Sequence, residues 1–238
     1  MRKSFAVASI VLGLLPLSAL AQTAPNIGVA ATVVDKMEGT VSQNRRVIGQ
    51  GDKVYKDEIV ETGDRGKGQL LFLDETALTV GPNSRVTLDR FVYDPGKSTG
   101  TVTMTAVRGV FRFVSGSLPS QAYEIKTPAG SIGVRGTIFE LIIDLDLSVT
   151  VRLLEGGIVF TTLARQETAL TRPGQVLVIR PNNQGQTINN SLNERQTALL
   201  QPIVDLSGGN VTPGQDRRDQ LRDQLRGKSG GGAPPPQD

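Results

Sequence analysis

Asp144 and Asp146 stand two residues apart on a run that reads as a β-strand, so both carboxylates project to one face. Carboxylates so placed could hold a calcium ion or divide general acid and general base work. The spacing supplies no third ligand, and Asp144-Leu145-Asp146-Leu147-Ser148 reads better as a hairpin end with its charges in water. A second candidate, Asp94-Pro95-Gly96-Lys97-Ser98, contains Gly-Lys-Ser, but a phosphate loop needs glycine at position 91, where Phe91 stands. It is read as a surface turn. The third candidate is Arg135, in Thr127-Pro128-Ala129-Gly130-Ser131-Ile132-Gly133-Val134-Arg135-Gly136-Thr137-Ile138-Phe139. An arginine here can read a ligand, or it can fork its donors into carbonyls and a carboxylate and tie neighbouring turns together. The apolar surroundings favour a structural pin, with Glu155 of Leu154-Glu155-Gly156-Gly157 as partner.

The composition narrows the chemistry further. Among 238 residues there is no His, Cys or Trp. Imidazole bases, thiolate nucleophiles and the usual zinc and copper ligands are therefore missing, and a Ser-His-Asp triad is excluded. No Ser-x-x-Lys occurs either. The expectation is a non-enzymatic protein with no catalytic residue, no cofactor and no metal. Setting aside Arg2 and Lys3 of the leader described next, 24 basic residues face 23 acidic ones. That balance gives no electrostatic footprint for nucleic acid.

Residues 1–21 combine a basic start, an apolar run interrupted by Pro16, and Ala19-Leu20-Ala21. They read as a secretory signal peptide cut before Gln22. The mature chain is expected to lack a transmembrane span and to be exported, with the periplasm as its compartment. Residues 22–31 read as a linker. From 32 to 180 the chain is a series of short β-type runs separated by Gly, Asp, Asn and Pro every 8 to 12 residues or so. Thr101–Thr105 and Ser148–Leu153 alternate, whereas Gln69–Leu73 and Ile138–Ile143 are apolar at nearly every position and fit strands covered on both faces. Residues 181–227 read as a polar linker with two short helices, Leu192–Leu200 and Asp216–Arg226, the second carrying Leu221 and Leu225 one turn apart. Residues 228–238, rich in Gly and Pro, read as a disordered tail.

An ordered set of segments then points to a family. Val54–Gly63, Gly68–Val80, Pro82–Leu88, Val107–Phe113, Thr127–Gly130, Val134–Phe139 and Leu154–Val159 together resemble the FecR-type domain of bacterial envelopes, over about Gly51 to Val159. The most specific part is Val134-Arg135-Gly136-Thr137-x-Phe139. The signature positions are Thr127, Pro128, Val134, Arg135, Gly136, Thr137, Phe139, Glu155 and Gly156. The chain departs at Asp74-Glu75-Thr76, where the family has Asp-Gly-Ser or similar. Since glutamate resists the positive φ that glycine accepts, this turn is expected to differ locally.

The resemblance implies an all-β, mostly antiparallel roll or solenoid-like domain, followed here by the short C-terminal helices and tail. It also implies a signalling adaptor that contacts an envelope protein, a receptor or a membrane regulator. Related domains pass the state of an outer-membrane receptor to a cytoplasmic sigma factor, a circuit that needs a membrane helix and a cytoplasmic segment. Neither is read in this chain, so the resemblance is to the sensing module alone. A structural envelope module binding peptidoglycan or surface polysaccharide is the alternative expectation. Oligomeric state is not readable from these residues.

Overall fold

The computed structural model describes residues 24–97, 99–180 and 186–206. The signal-peptide, second-helix and tail assignments lie outside them. The first half of the chain forms β1 (Asn26–Val34), β2 (Met37–Val41), β3 (Asn44–Val47), β4 (Lys53–Tyr55), β5 (Ile59–Thr62), β6 (Lys67–Phe72), β7 (Ala77–Val80) and β8 (Arg85–Asp94). The second half forms β9 (Thr99–Val114), β10 (Tyr123–Thr127), β11 (Gly130–Ile143), β12 (Val149–Thr162), β13 (Glu167–Leu170), β14 (Val176–Ile179), β15 (Gln186–Asn189) and the helix α1 (Glu194–Leu206). All strand pairs are antiparallel except the parallel pair of β9 and β10. The mostly antiparallel β architecture expected from the sequence is the one observed.

The hydrogen-bonded network divides into two limbs that share three long strands. One limb runs β3-β2-β5-β8-β9-β10-β11-β12-β13, the other β4-β1-β6-β7-β9-β11-β12-β14-β15. The first uses the N-terminal part of β9 and β11 and the C-terminal part of β12; the second uses the remaining parts. Both limbs feed one apolar core, in which Val60, Met104 and Ile132 of the first meet Phe72, Phe113 and Leu153 of the second.

Each shared strand must therefore swap the face it buries on passing from limb to limb. Inward residues are Met104 and Ala106, then Phe111 and Phe113, in β9; Ile132 and Val134, then Phe139 and Leu141, in β11; Val151 and Leu153, then Ile158 and Phe160, in β12. Alternation steps by two within each half but by five across the bend, an odd step that inverts the strand. At all three bends stands a glycine of positive φ: Gly109 at 104°, Gly136 at 59° and Gly156 at 75°. This region of φ is open to glycine at no steric cost. Gly109 also allows close approach, since a Cβ there would lie 2.4 Å from the Cα of buried Ser84.

Three boundaries differ from the sequence expectation. Residues 26–31, read as linker, belong to β1, which pairs with β4 and β6 and buries Ile27 and Ala30. Gly28 and Ala31 blur the alternation there, yet Gly28 is what lets β1 approach Leu71, whose carbonyl would lie 2.2 Å from an added Cβ. Polar Gln186–Asn189 is strand as well, because an exposed edge strand needs backbone pairing, here with β14, rather than apolar side chains. The first helix starts at Glu194 and runs on to Leu206, through Pro202. Its start is a capping box: Asn193 Oδ1 accepts from Gln196 N at 2.8 Å and Gln196 Oε1 accepts from Asn193 N at 3.0 Å. Packing of Leu200 and Ile203 on Val110 and Ile142 carries it past the proline.

Candidate functional site

The signature stretch begins at the hairpin between β10 and β11. Thr127 pairs with Gly130 across the two-residue loop Pro128-Ala129. Thr127 Oγ1 donates to Gly130 O at 2.9 Å and accepts from Ala129 N at 3.3 Å, closing the turn. Gly130 is required by contact, because a Cβ would lie 2.2 Å from Thr161 O. Gly133 is not: an added Cβ would meet only Val159 O, at an ordinary 3.7 Å.

The bend follows. Arg135 pairs with Gly157 and Ile138 with Glu155, so β11 carries an extra residue there, and a compensating shift in β12 restores register at Phe139 and Leu153. Gly156 nests against Gly136, whose carbonyl would lie 2.1 Å from an added Cβ. Val134 and Phe139 anchor the two sides in the core, Phe139 stacking on Phe113 at 5.4 Å between ring centres. Thr137, 1% exposed, fastens the bend: its Oγ1 donates to Gly157 O at 2.6 Å and accepts from Arg135 N at 3.1 Å, while its N–H donates to Ser115 Oγ at 2.9 Å.

This corrects the sequence reading of Arg135. Its side chain is exposed and forms no ion pair with Glu155, which stands half-buried opposite Ile138. Alternation explains why: Val134 points inward, so Arg135 points out, and the bulge inverts the strand only after it. The pin is Thr137.

The buried arginine is instead Arg112. Glu140 lies directly between Arg112 on β9 and Arg152 on β12. Arg112 Nη2 and Nε donate to Glu140 Oε1 at 2.5 and 3.2 Å, and Arg152 Nε donates to Oε2 at 2.7 Å. Arg112 and Glu140 are 5% and 1% exposed. A signal for this pair is present in the sequence: each is the lone charge within an otherwise apolar run, Val110-Phe111-Arg112-Phe113 and Ile138–Ile143, and the signs are opposite.

Two further buried carboxylates are likewise committed to structure. Asp74 accepts from Thr76 Oγ1 at 2.7 Å, Thr76 N at 3.1 Å and Tyr123 Oη at 2.9 Å; Tyr123 Oη in turn accepts from Leu118 N at 3.0 Å. Burial, and then the neighbouring Asp74 charge, raises the Tyr123 pKa above its usual value. Within this turn Glu75 takes φ of 71°, so the backbone keeps the conformation a glycine would adopt, against expectation. Glu58 accepts from Arg46 Nε and Tyr55 N, both at 2.9 Å, and Arg46 lies over the Tyr55 ring.

The other candidates resolve as turns. Asp144 N donates to Ser148 O at 3.0 Å, Asp144 pairs with Arg195 of α1, and exposed Asp146 accepts from Ser148 N at 2.9 Å. Hydrogen bonding from Ser148 lowers the Asp146 pKa. Asp94 Oδ1 accepts from Gly96 N at 3.0 Å, closing the turn before Lys97. Among the described residues no group of three His, Cys, Asp or Glu side chains is placed to hold a metal ion, and no helix is long and apolar enough to cross a membrane.

What the signature presents outward is Arg135 beside Gly133 and Ser131 on β11, flanked by Glu124 and Lys126 on β10 and Val159 and Thr161 on β12. Arg135 thus stands as an exposed cation at the bend, next to small side chains.

No curated protein matches the chain. Among solved structures, two crystal structures of a candidate anti-sigma factor from Parabacteroides distasonis, at 2.50 and 1.65 Å resolution, share 15% and 16% identity with TM-scores of 0.47 and 0.46. Each alignment covers 60% of this chain and 64% of the other. The family model described as FecR protein matches residues 58–159, a span that holds the Asp74 turn, the three corner glycines and the Arg112–Glu140–Arg152 cluster.

Proposed function

We propose that this protein is an exported, non-enzymatic signalling adaptor of the bacterial periplasm that docks an envelope protein through the Arg135 face. The observation that carries this reading is the outward display of the signature arginine by a bend whose neighbours, Val134 and Thr137, are buried and fixed. An exposed guanidinium on a fixed frame loses little conformational freedom on pairing with a carboxylate of a partner. The buried carboxylates, by contrast, are consumed by structural pairs, which favours recognition over acid-base chemistry.

The test is photocrosslinking in intact cells from position 133, where a side chain fits. Capture of one receptor or membrane regulator, lost on Arg135→Glu without a change in thermal unfolding, is the expected result. Capture unaffected by Arg135→Glu overturns the assignment of this face.

A second reading, a structural module that binds polysaccharide, draws on one feature: an open groove lined by Arg180, Thr187, Asn189, Asn190, Asn193 and Gln196. No aromatic side chain lines it, and aromatic rings are the apolar bodies on which polar ligands of this kind usually rest. This reading ranks second. Co-sedimentation with purified cell wall, abolished by Asn189→Ala with Asn190→Ala, would favour it.

A further inference from the structure

Val110, Ile142 and Thr150 are direct cross-strand neighbours on β9, β11 and β12, and α1 lies along this row. Among the described residues, Val110 and Ile142 share their apolar cluster only with Leu200 and Ile203 of α1, backed by Leu192 and Leu199. Gly81, just after β7, supplies the hole for Ile203. Its φ is not positive, so the backbone does not demand glycine, yet an added Cβ would meet Ile203 Cγ2 at 2.8 Å. The rim is polar. Gln196 Nε2 donates to Thr150 Oγ1 at 3.0 Å, Arg195 pairs with Asp144 at 2.5 Å, and Lys67 Nζ donates to Pro202 O at 3.3 Å.

This attachment is thin for a helix of thirteen residues. Among its described side chains only Leu200 and Ile203 are buried, at 2% and 0% exposure. The Arg195 side chain is 71% exposed, and an ion pair in water holds weakly. Pro202 lacks the N–H that would bond the carbonyl of Ala198, so the helix also resists itself. The strands beneath differ, since β9, β11 and β12 are laced through both limbs and feed the main core. A segment with few buried contacts on such a body is the one that opens first.

We propose that Val110, Ile142 and Gly81 form a helix-docking site which α1 occupies in the resting chain and which a partner's amphipathic helix takes over when α1 lifts off. The resident helix defines the guest: two branched aliphatic side chains three positions apart, as Leu200 and Ile203 are, with a cation five residues before the first to meet Asp144. In the protein beginning at Gln22, the amides of Ala198–Leu200 should exchange with solvent at least about 100-fold faster than those of Phe139–Leu141. Exchange of both sets at one rate, through global unfolding, overturns the proposal. A fluorescein-labelled peptide of residues 193–206 is the probe for the vacated site. It should bind the Leu200→Asp, Ile203→Asp double variant at least about tenfold tighter than the parent, whose site is filled. The same peptide carrying both aspartates should bind neither protein. Equal binding to parent and variant, or no binding to a variant that keeps Phe139–Leu141 protected, overturns the proposal. Should the variant lose that protection, hydrogen exchange in the parent decides.

Discussion

Thr137 Oγ1 donates a 2.6 Å hydrogen bond to the carbonyl of Gly157, across the point where β11 and β12 bend together from one limb to the other. The same oxygen accepts from the Arg135 N–H. One buried hydroxyl therefore fastens both strands, and the neighbouring arginine is left free to face solvent.

Thr137→Val keeps the shape and removes the hydroxyl. Leaving these buried backbone groups unsatisfied should cost about 1–3 kcal/mol. Arg135→Gln, on the exposed side of the same bend, should stay within about 0.5 kcal/mol of the parent. Urea unfolding of the two variants checks the contrast; equal destabilisation would return the pin to Arg135.

Removing the carboxylate that two arginines share should be the more damaging change. Glu140→Gln leaves Arg112 buried without a counter-charge and should cost about 3–5 kcal/mol. Arg152→Gln, with its side chain 29% exposed, should cost clearly less. Midpoints of chemical denaturation, compared at constant slope, would rank them.

Alkaline stability should report on Tyr123. Its pKa is raised in the fold, so its contribution is fully present below the unfolded value of about 10 and is lost as pH rises through the higher folded value. Tyr123→Phe should lower the melting temperature at neutral pH, since Asp74 loses a donor and Leu118 N an acceptor. It should also flatten the decline above about pH 10. Parallel melting curves of the two proteins across that range would contradict the assignment.

The corner glycines should differ among themselves. At Gly136 nothing lies within 4 Å of an added Cβ, so Gly136→Ala meets only the positive-φ cost of about 1–2 kcal/mol. Gly109→Ala adds a collision with the backbone of Ser84 and should be worse. Thermal unfolding of the two alanine variants tests the order.

These contrasts also mark how far the sequence could be read. Local signals were sufficient for class: alternation in Thr101–Thr105, doubly apolar runs in Gln69–Leu73, and turn residues between them are properties of neighbours in the chain. Leu70 and Phe72 do enter the main core while Leu71 joins the separate cluster on the other face. The direction of Arg135 is not legible locally: its apolar neighbours place it near the core, whereas the way it points depends on where the bulge begins. The partnership of Arg112 with Glu140 joins residues 28 positions apart, and only the register of β9 on β11 brings them together. The glycines after Arg108, Arg135 and Glu155 were visible as family signature, but that all three perform the same inversion required the pairing of both limbs.

The three shared strands have a mechanical consequence. Because β9, β11 and β12 run unbroken from one limb into the other, the limbs cannot hinge apart or slide without tearing the ladders that join them. A pull or push applied at the Arg135 bend is carried along covalent backbone to the layer beneath α1. A body so laced transmits load as a strut does rather than by an internal opening.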